Sequence, residues 1–593
     1  MKYPTLTELN TSREWLDVFS GYNHNLRIGE GEFYEMTNMS SDNYPILSPR
    51  PKRGIYATPE NPQGMVAKDS LCYIDGEDLI FNGGKVELPE YMRFSIDKDD
   101  EGKVIPKTLI SMGAYIIIMP DKKYINTANL NDYGKIEASV TTSTTVTFSL
   151  CKVDGAGYEN VKTQPSAPEI TEEMEKDTTK IPLWLDTSSV PNSLKQYSTT
   201  TAMWSTIGTT YIKIHAVGIG APFEVNDGVV ISGVNEIEDL NASMTIWARG
   251  DDYIVVTGIL DKVTTQSDPI TVERKMPEMD FIIESGNRLW GCRYGVQGKE
   301  IVNEIYASKL GDFKNWNSFV GISTDSYAAS LGTDGQFTGA ITYLGYPIFF
   351  KENFMHKVYG QYPSNYQIQT TACRGVQKGC GRSLAIVNEV LYYKARSGIC
   401  AYDGSLPTEI SSALGDMVYN KAVAGTIGNK YYVSMCDVNG DYHLFVYDTL
   451  KRMWHREDST EAMDFCNCRG DLYYIDHADD QIKAVRGTGV QETSVIKWEA
   501  ITGFIGTDSP DKKYISRLDV RMMLDVGAKV NFYAEYDSSG EWDFLFSMTG
   551  IKLQSFAVPI RPQRCDHLRL KITGEGDAKI YSICKTVEWG SDV

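Results

Sequence analysis

A chain of 593 residues, 42% hydrophobic and 23% charged, has the composition of a folded protein with more than one core, not of a disordered or fibrous one. Its 58 Lys and Arg against 78 Asp and Glu leave a formal charge of −20. That balance argues against a protein that grips nucleic-acid phosphates or docks on an anionic membrane.

No run approaches the roughly 20 apolar residues that span a bilayer. The opening Met1-Lys2-Tyr3-Pro4-Thr5 lacks the basic and apolar regions of a signal peptide. The expectation is synthesis in a cytoplasm with no membrane embedding. The 11 cysteines, odd in number and dispersed, read as buried thiols in a reducing compartment. The 36 tyrosines and an aromatic content of 11% lean towards strands.

Taken in chain order, residues 1–52 form an N-terminal segment, with a helical turn expected near residues 12–16. Residues 53–140 hold two units of short strands around 63–83 and 108–124. Residues 141–272 break the pattern with the threonine-rich run at 142–149, a polar acidic stretch at 165–180 and apolar strands at 222–233 and 253–258. They read as an inserted β-barrel or sandwich, with a loop or short helix at 165–180. Residues 273–505 resume the units. Four consecutive stretches between 337 and 498 each read as about four short strands joined by Gly, Asn or Asp turns. Their spacing of roughly 40 residues is that of a propeller blade. Residues 506–593 carry longer alternating strands that read as a C-terminal β-sandwich. The fold expected is all-β: a propeller of about six or seven blades with an inserted β-domain and a C-terminal β-sandwich.

Chemical motifs are sparse. Cys466 and Cys468, and Cys373 and Cys380, are the close cysteine pairs, and neither has zinc-ligand spacing. His24, His215, His356, His443, His455, His477 and His567 are scattered, although His443, His455 and His477 fall in neighbouring units and have room to converge at one end of a ring. The loop Asp437-Val-Asn-Gly-Asp441 reads as a hairpin turn and not a calcium loop, since Asn-Gly is a favoured turn pair and the downstream glutamate is missing. A propeller glycosidase needs two carboxylates flanking a glycosidic bond, and no spacing marks such a pair. No catalytic, metal or cofactor-binding residue is singled out. The chain is expected to need no cofactor and not to be an enzyme.

Three stretches carry a resemblance. Residues 21–42 (GYNHNLRIGEGEFYEMTNMSSD) followed by 47–54 (LSPRPKRG) are similar to the opening of the tail nozzle proteins of short-tailed bacteriophages, also called tail tubular protein B or packaged-DNA stabilisation proteins. Residues 287–291 (NRLWG) with 304–316 (EIYASKLGDFKNW), and 390–404 (VLYYKARSGICAYDG), resemble blades of that family. The resemblance implies a structural virion protein of the phage tail, a homo-oligomer of six subunits in a ring. It would sit against portal-proximal adaptor or tail ring proteins and tail fibres, with double-stranded DNA passing through transiently. The acidic balance then has two readings, a lumen that repels the DNA backbone or plain solubility. The competing class is a carbohydrate-binding or carbohydrate-cleaving propeller such as a host-receptor adhesin, with Trp316 or Trp454 stacking on sugars.

Overall fold

The computed structural model describes residues 11–589 apart from 101, 299, 508–511 and 551. Residues 1–5, read above for the lack of a leader, lie outside the described residues. The protein is almost entirely β. Its one α-helix among the described residues is the five-residue Glu172–Lys176, inside the acidic stretch. No described helix is long and apolar enough to cross a membrane.

The main body is a β-propeller. Sheets at residues 62–85, 108–135, 281–330, 337–372, 385–409 and 419–456 each run as a four-stranded antiparallel meander in chain order. The last sheet takes three strands from residues 462–484 and completes itself with Gly54–Ala57 from the other end of the chain. The first strands of these sheets pack side by side in cyclic order, and Ala462–Cys468 of the last returns to Pro62–Ala67 of the first. Each sheet is buried between its neighbours, so its middle strand loses alternation. Lys430–Asp437, for instance, is buried from Tyr431 to Asp437. Aromatic and β-branched residues fill these faces because they suit a pleated surface covered on both sides. Tight turns join the strands: between Phe337–Tyr343 and Tyr346–Lys351, Leu344 and Gly345 both take positive φ (49° and 80°), as a two-residue type I′ hairpin requires.

Residues 138–274 form three further sheets between the second and third propeller sheets. Within them a buried ion pair joins Arg274 to Asp227, and Asn315 of the ring bonds to that same segment. Asn315 accepts from the Gly228 amide at 2.7 Å and donates to Asp227 at 3.2 Å.

The two ends of the chain meet in a β-sandwich. Residues 12–16, expected as a helical turn, belong instead to the strand Thr11–Leu16, paired antiparallel with Ala578–Trp589. Their alternating burial fits a sheet edge, and pairing overrides the weak local helix preference. Glu32–Thr37 joins Lys497–Thr502 in the facing sheet, while Gly21–Tyr22 pairs with Met453–Arg456 of the propeller. One ten-stranded sheet therefore runs from a propeller blade into the sandwich, and one hydrophobic core is continuous across both.

His455, on Met453–Arg456, is buried beneath this joint. Burial, aided by Lys430, pushes its imidazole down to about 3 from 6.5. The unfolded chain takes up that proton near pH 6.5 and the folded chain only near 3, so this contribution to stability is full above 6.5 and drains away as pH falls between the two values. His455→Gln should flatten the fall in urea midpoint between pH 6.5 and 4; an unchanged slope would show that other groups control it.

Candidate functional site

The first strands surround the propeller axis, and a cavity of about 440 Å³ lies between them, lined by Met65, Leu109, Phe281, Ala340, Ala424 and Phe465 among others. Several of these strands begin with a β-bulge, at 62/64, 337/339, 419/421 and 462/464. A bulge rotates the following side chain out of strict alternation, and in Ala462–Cys468 the shifted residue is Asp464.

Asp464 and Arg382 tie the ring together across the axis. Arg382 Nη1 lies 3.2 Å from Asp464 Oδ1, and its Nη2 donates to the carbonyls of Lys107 (2.9 Å) and Pro106 (3.1 Å). Asp464 also accepts from the amides of Met65 and Phe465, each at 3.1 Å. One ion pair thus reaches the leading edges of the first, second, fifth and last sheets. Burial raises the Asp464 carboxyl above the ordinary aspartate value, and Arg382 only partly offsets this.

A neighbouring cavity of about 370 Å³ shares Phe281 and Arg382 and is lined also by Lys103, Tyr442, Glu461 and His477. Glu461 Oε1 receives Lys103 Nζ at 2.7 Å and faces His477 Nδ1 at 3.5 Å. Burial and the nearby Glu461 carboxylate push the Tyr442 phenol up. On the axial side Asp280 binds Arg293 at 2.7 Å and accepts from the Tyr294 amide at 2.8 Å. Asp280, Glu461 and Asp464 therefore gather around one end of the axis, each beside a cation. Carboxyls brought together in this way are the groups that acid–base chemistry at a propeller axis draws on.

The residues weighed in the sequence behave differently. Cys466 is half-buried and Cys468 buried, both free, and burial pushes the Cys466 thiol far up. The three histidines do not converge. His443 Nε2 sits 3.4 Å from Asp437, His455 lies under the sandwich joint, and only His477 lines an axial cavity. Asp437 Oδ1 accepts from the Asn439 and Asp441 amides, as a hairpin turn demands. Among the described residues no group of three or more His, Cys, Asp and Glu side chains is placed to hold a metal ion. Trp316 and Trp454 are 3% and 2% exposed, so neither can stack on a sugar. Sequence reasoning missed Arg382, Glu461 and Asp464. The available signal was an acid inside an apolar first strand, at the bulge position where other sheets place Gly339 and Lys421.

No protein-family model matches this chain, and no curated protein matches it. Solved structures do match, at low identity and low TM-score. An exo-β-1,3-galactanase from Phanerochaete chrysosporium is 10% identical over 51% of this chain and 94% of its own, with a TM-score of 0.21. PorZ, a surface component of the type-IX secretion system of Porphyromonas gingivalis, is 10% identical over 88% of this chain and 82% of its own, TM-score 0.25. A mutant Trypanosoma rangeli sialidase is 9% identical over 64% and 89%, TM-score 0.20. The expectation that the chain is not an enzyme is withdrawn on this finding, since glycoside hydrolases and sialidases are among the matching structures. The physical reason it went astray is that acids far apart in sequence meet only when the sheets close around the axis. Likeness at these scores carries no argument about architecture, activity or substrate.

Proposed function

We propose that this chain is a subunit of a hollow ring in the tail of a short-tailed bacteriophage, a nozzle through which the double-stranded genome is retained and released. What supports the reading is where the family-like residues lie. Residues 21–42 and 47–54 form the strap that joins propeller to sandwich: Gly21–Tyr22 and Glu32–Thr37 extend one sheet across both bodies. Arg50 and Arg53 anchor it through Glu457, Asp458 and Glu492. A part that holds packaged DNA needs two bodies that do not hinge, and this strap supplies that. The partners are further copies of the chain, an adaptor ring on the portal side and tail fibres, with DNA in transit. Imaging of the purified protein, alone and with a connector ring, should show a hollow six-fold ring. A monomer that never joins a connector would sink the proposal. With −20 net charge, acids facing the lumen would repel the backbone within roughly 8–10 Å; their replacement by lysine should slow ejection.

A second reading rests on the axial acids. Asp464, whose carboxyl burial raises above the ordinary aspartate value, and Glu461 line adjoining cavities where a propeller can present a carboxyl pair to a carbohydrate, a pair that such chemistry uses as proton donor and as base or nucleophile. Glycan binding or cleavage that disappears in Glu461→Gln, with the fold intact, would favour it. Activity unchanged by Glu461→Gln and Asp464→Asn would remove it.

A further inference from the structure

We infer that copies of this chain join by pairing the two open edges of one sandwich sheet, head to tail. The inference rests on the ring reading above and names its interface. The sheet runs Thr11–Leu16, Ala578–Trp589, Lys513–Leu524, Gln554–Val558. Among the described residues Thr11–Leu16 pairs only with Ala578–Trp589, and Gln554–Val558 only with Lys513–Leu524. Both outer strands thus present an unpaired main-chain edge, a template that natural proteins cover or blunt.

These edges are suited to each other. Every neighbouring pair in the sheet is antiparallel, so in a sheet of four strands the two outer ones run in opposite directions. A second copy laid alongside therefore brings its Gln554–Val558 antiparallel to Thr11–Leu16 of the first, and the lengths match at five and six residues. The facing sheet cannot do this. Its open edge is Asp543–Thr549, but its other end is Tyr419–Ile427 at the propeller axis.

Side chains agree with the backbone. On the first edge Trp15 is 54% exposed, with Val18 beside it at 41%; on the other, Leu553 is 51% exposed. Charges are opposite in balance. The first edge carries Glu14, Asp17 and Glu30, with Lys585 bridging Glu14 at 2.7 Å and Glu30, and Arg13 drawn towards Asp519. Exposed Lys552, Arg561 and Arg564 flank Gln554–Val558. Contact of this kind is heterologous: it leaves one edge free on each new copy and closes only if the rotation between copies returns to the start.

The test uses the full chain, its assembly state measured by mass photometry across concentration and its fold by circular dichroism. Arg561→Glu with Arg564→Glu should weaken association by about tenfold or more. Adding Glu14→Lys and Asp17→Lys to the same chain should restore it, a rescue that misfolding would not produce. If the chain carrying only Arg561→Glu and Arg564→Glu assembles as the unaltered protein does, this interface is wrong while the ring stands. If the unaltered protein stays monomeric at every concentration, the ring reading falls and takes the interface with it.

Discussion

Replacing Arg53 by alanine is expected to cost about 3–5 kcal/mol of stability, the usual result of stranding a buried charge. The Arg53 guanidinium is 4% exposed and lies 2.6 Å from Glu457, itself 3% exposed, and 2.8 Å from Asp458. It also donates to Thr460 Oγ1 and the Tyr474 hydroxyl, both at 2.9 Å. Burial alone would raise Asp458, but Arg53 and Arg50 outweigh it and hold the carboxyl below its ordinary value. Without Arg53, the buried Glu457 carboxylate loses its cation and Asp458 keeps only the more distant Arg50 at 3.7 Å, beside the strand that closes the propeller. Urea unfolding should register the loss, and Arg53→Lys should recover only part of it, since an ammonium cannot reproduce the fork of donors. Because Gly54–Ala57 follows directly, amide exchange in residues 462–484 should rise as well. A loss under 1 kcal/mol with exchange unchanged would mean that the ion pair does not secure ring closure.

Trp454→Ala should be comparably damaging, at about 3–5 kcal/mol, because a large buried aromatic leaves a cavity that its neighbours only partly fill. Its ring is 4.9 Å from that of Tyr447, and its indole N–H donates to the Ile410 carbonyl at 3.0 Å. Tyr22 pairs with it across the joint, and Gly21 passes so close that a Cβ there would lie 2.4 Å from the Trp454 carbonyl. Trp454 therefore supports the seam between propeller and sandwich from below. Calorimetry should show a lower melting temperature, with loss of protection at Gly21–Tyr22. A variant that melts like the parent would show that the seam is held elsewhere.

The strand content and the propeller were legible in the sequence because a blade is local. Each unit of roughly 40 residues carries its own alternation, turns and aromatic fill. Asp437 to Asp441 marked a hairpin for the same local reason. Residues 12–16 misled because a short amphipathic run has no strong preference until a partner strand is supplied. The axial acids were illegible for a different reason: nothing near Asp464 in the chain refers to Arg382, Lys107 or Met65, and the bulge that turns Asp464 out of alternation belongs to strand pairing.

By itself, then, the sequence determined an all-β chain with repeated four-stranded units, interrupted in the middle and followed by longer strands. Those properties follow from side-chain periodicity and turn chemistry over a few residues. Tertiary structure alone decided that Gly54–Ala57 closes the last sheet, that one sheet is continuous from blade to sandwich, and that Asp464, Glu461 and Asp280 share one end of the axis. Each depends on contacts between residues hundreds of positions apart, which are made only once burial has packed the sheets face to face and drawn both ends of the chain together.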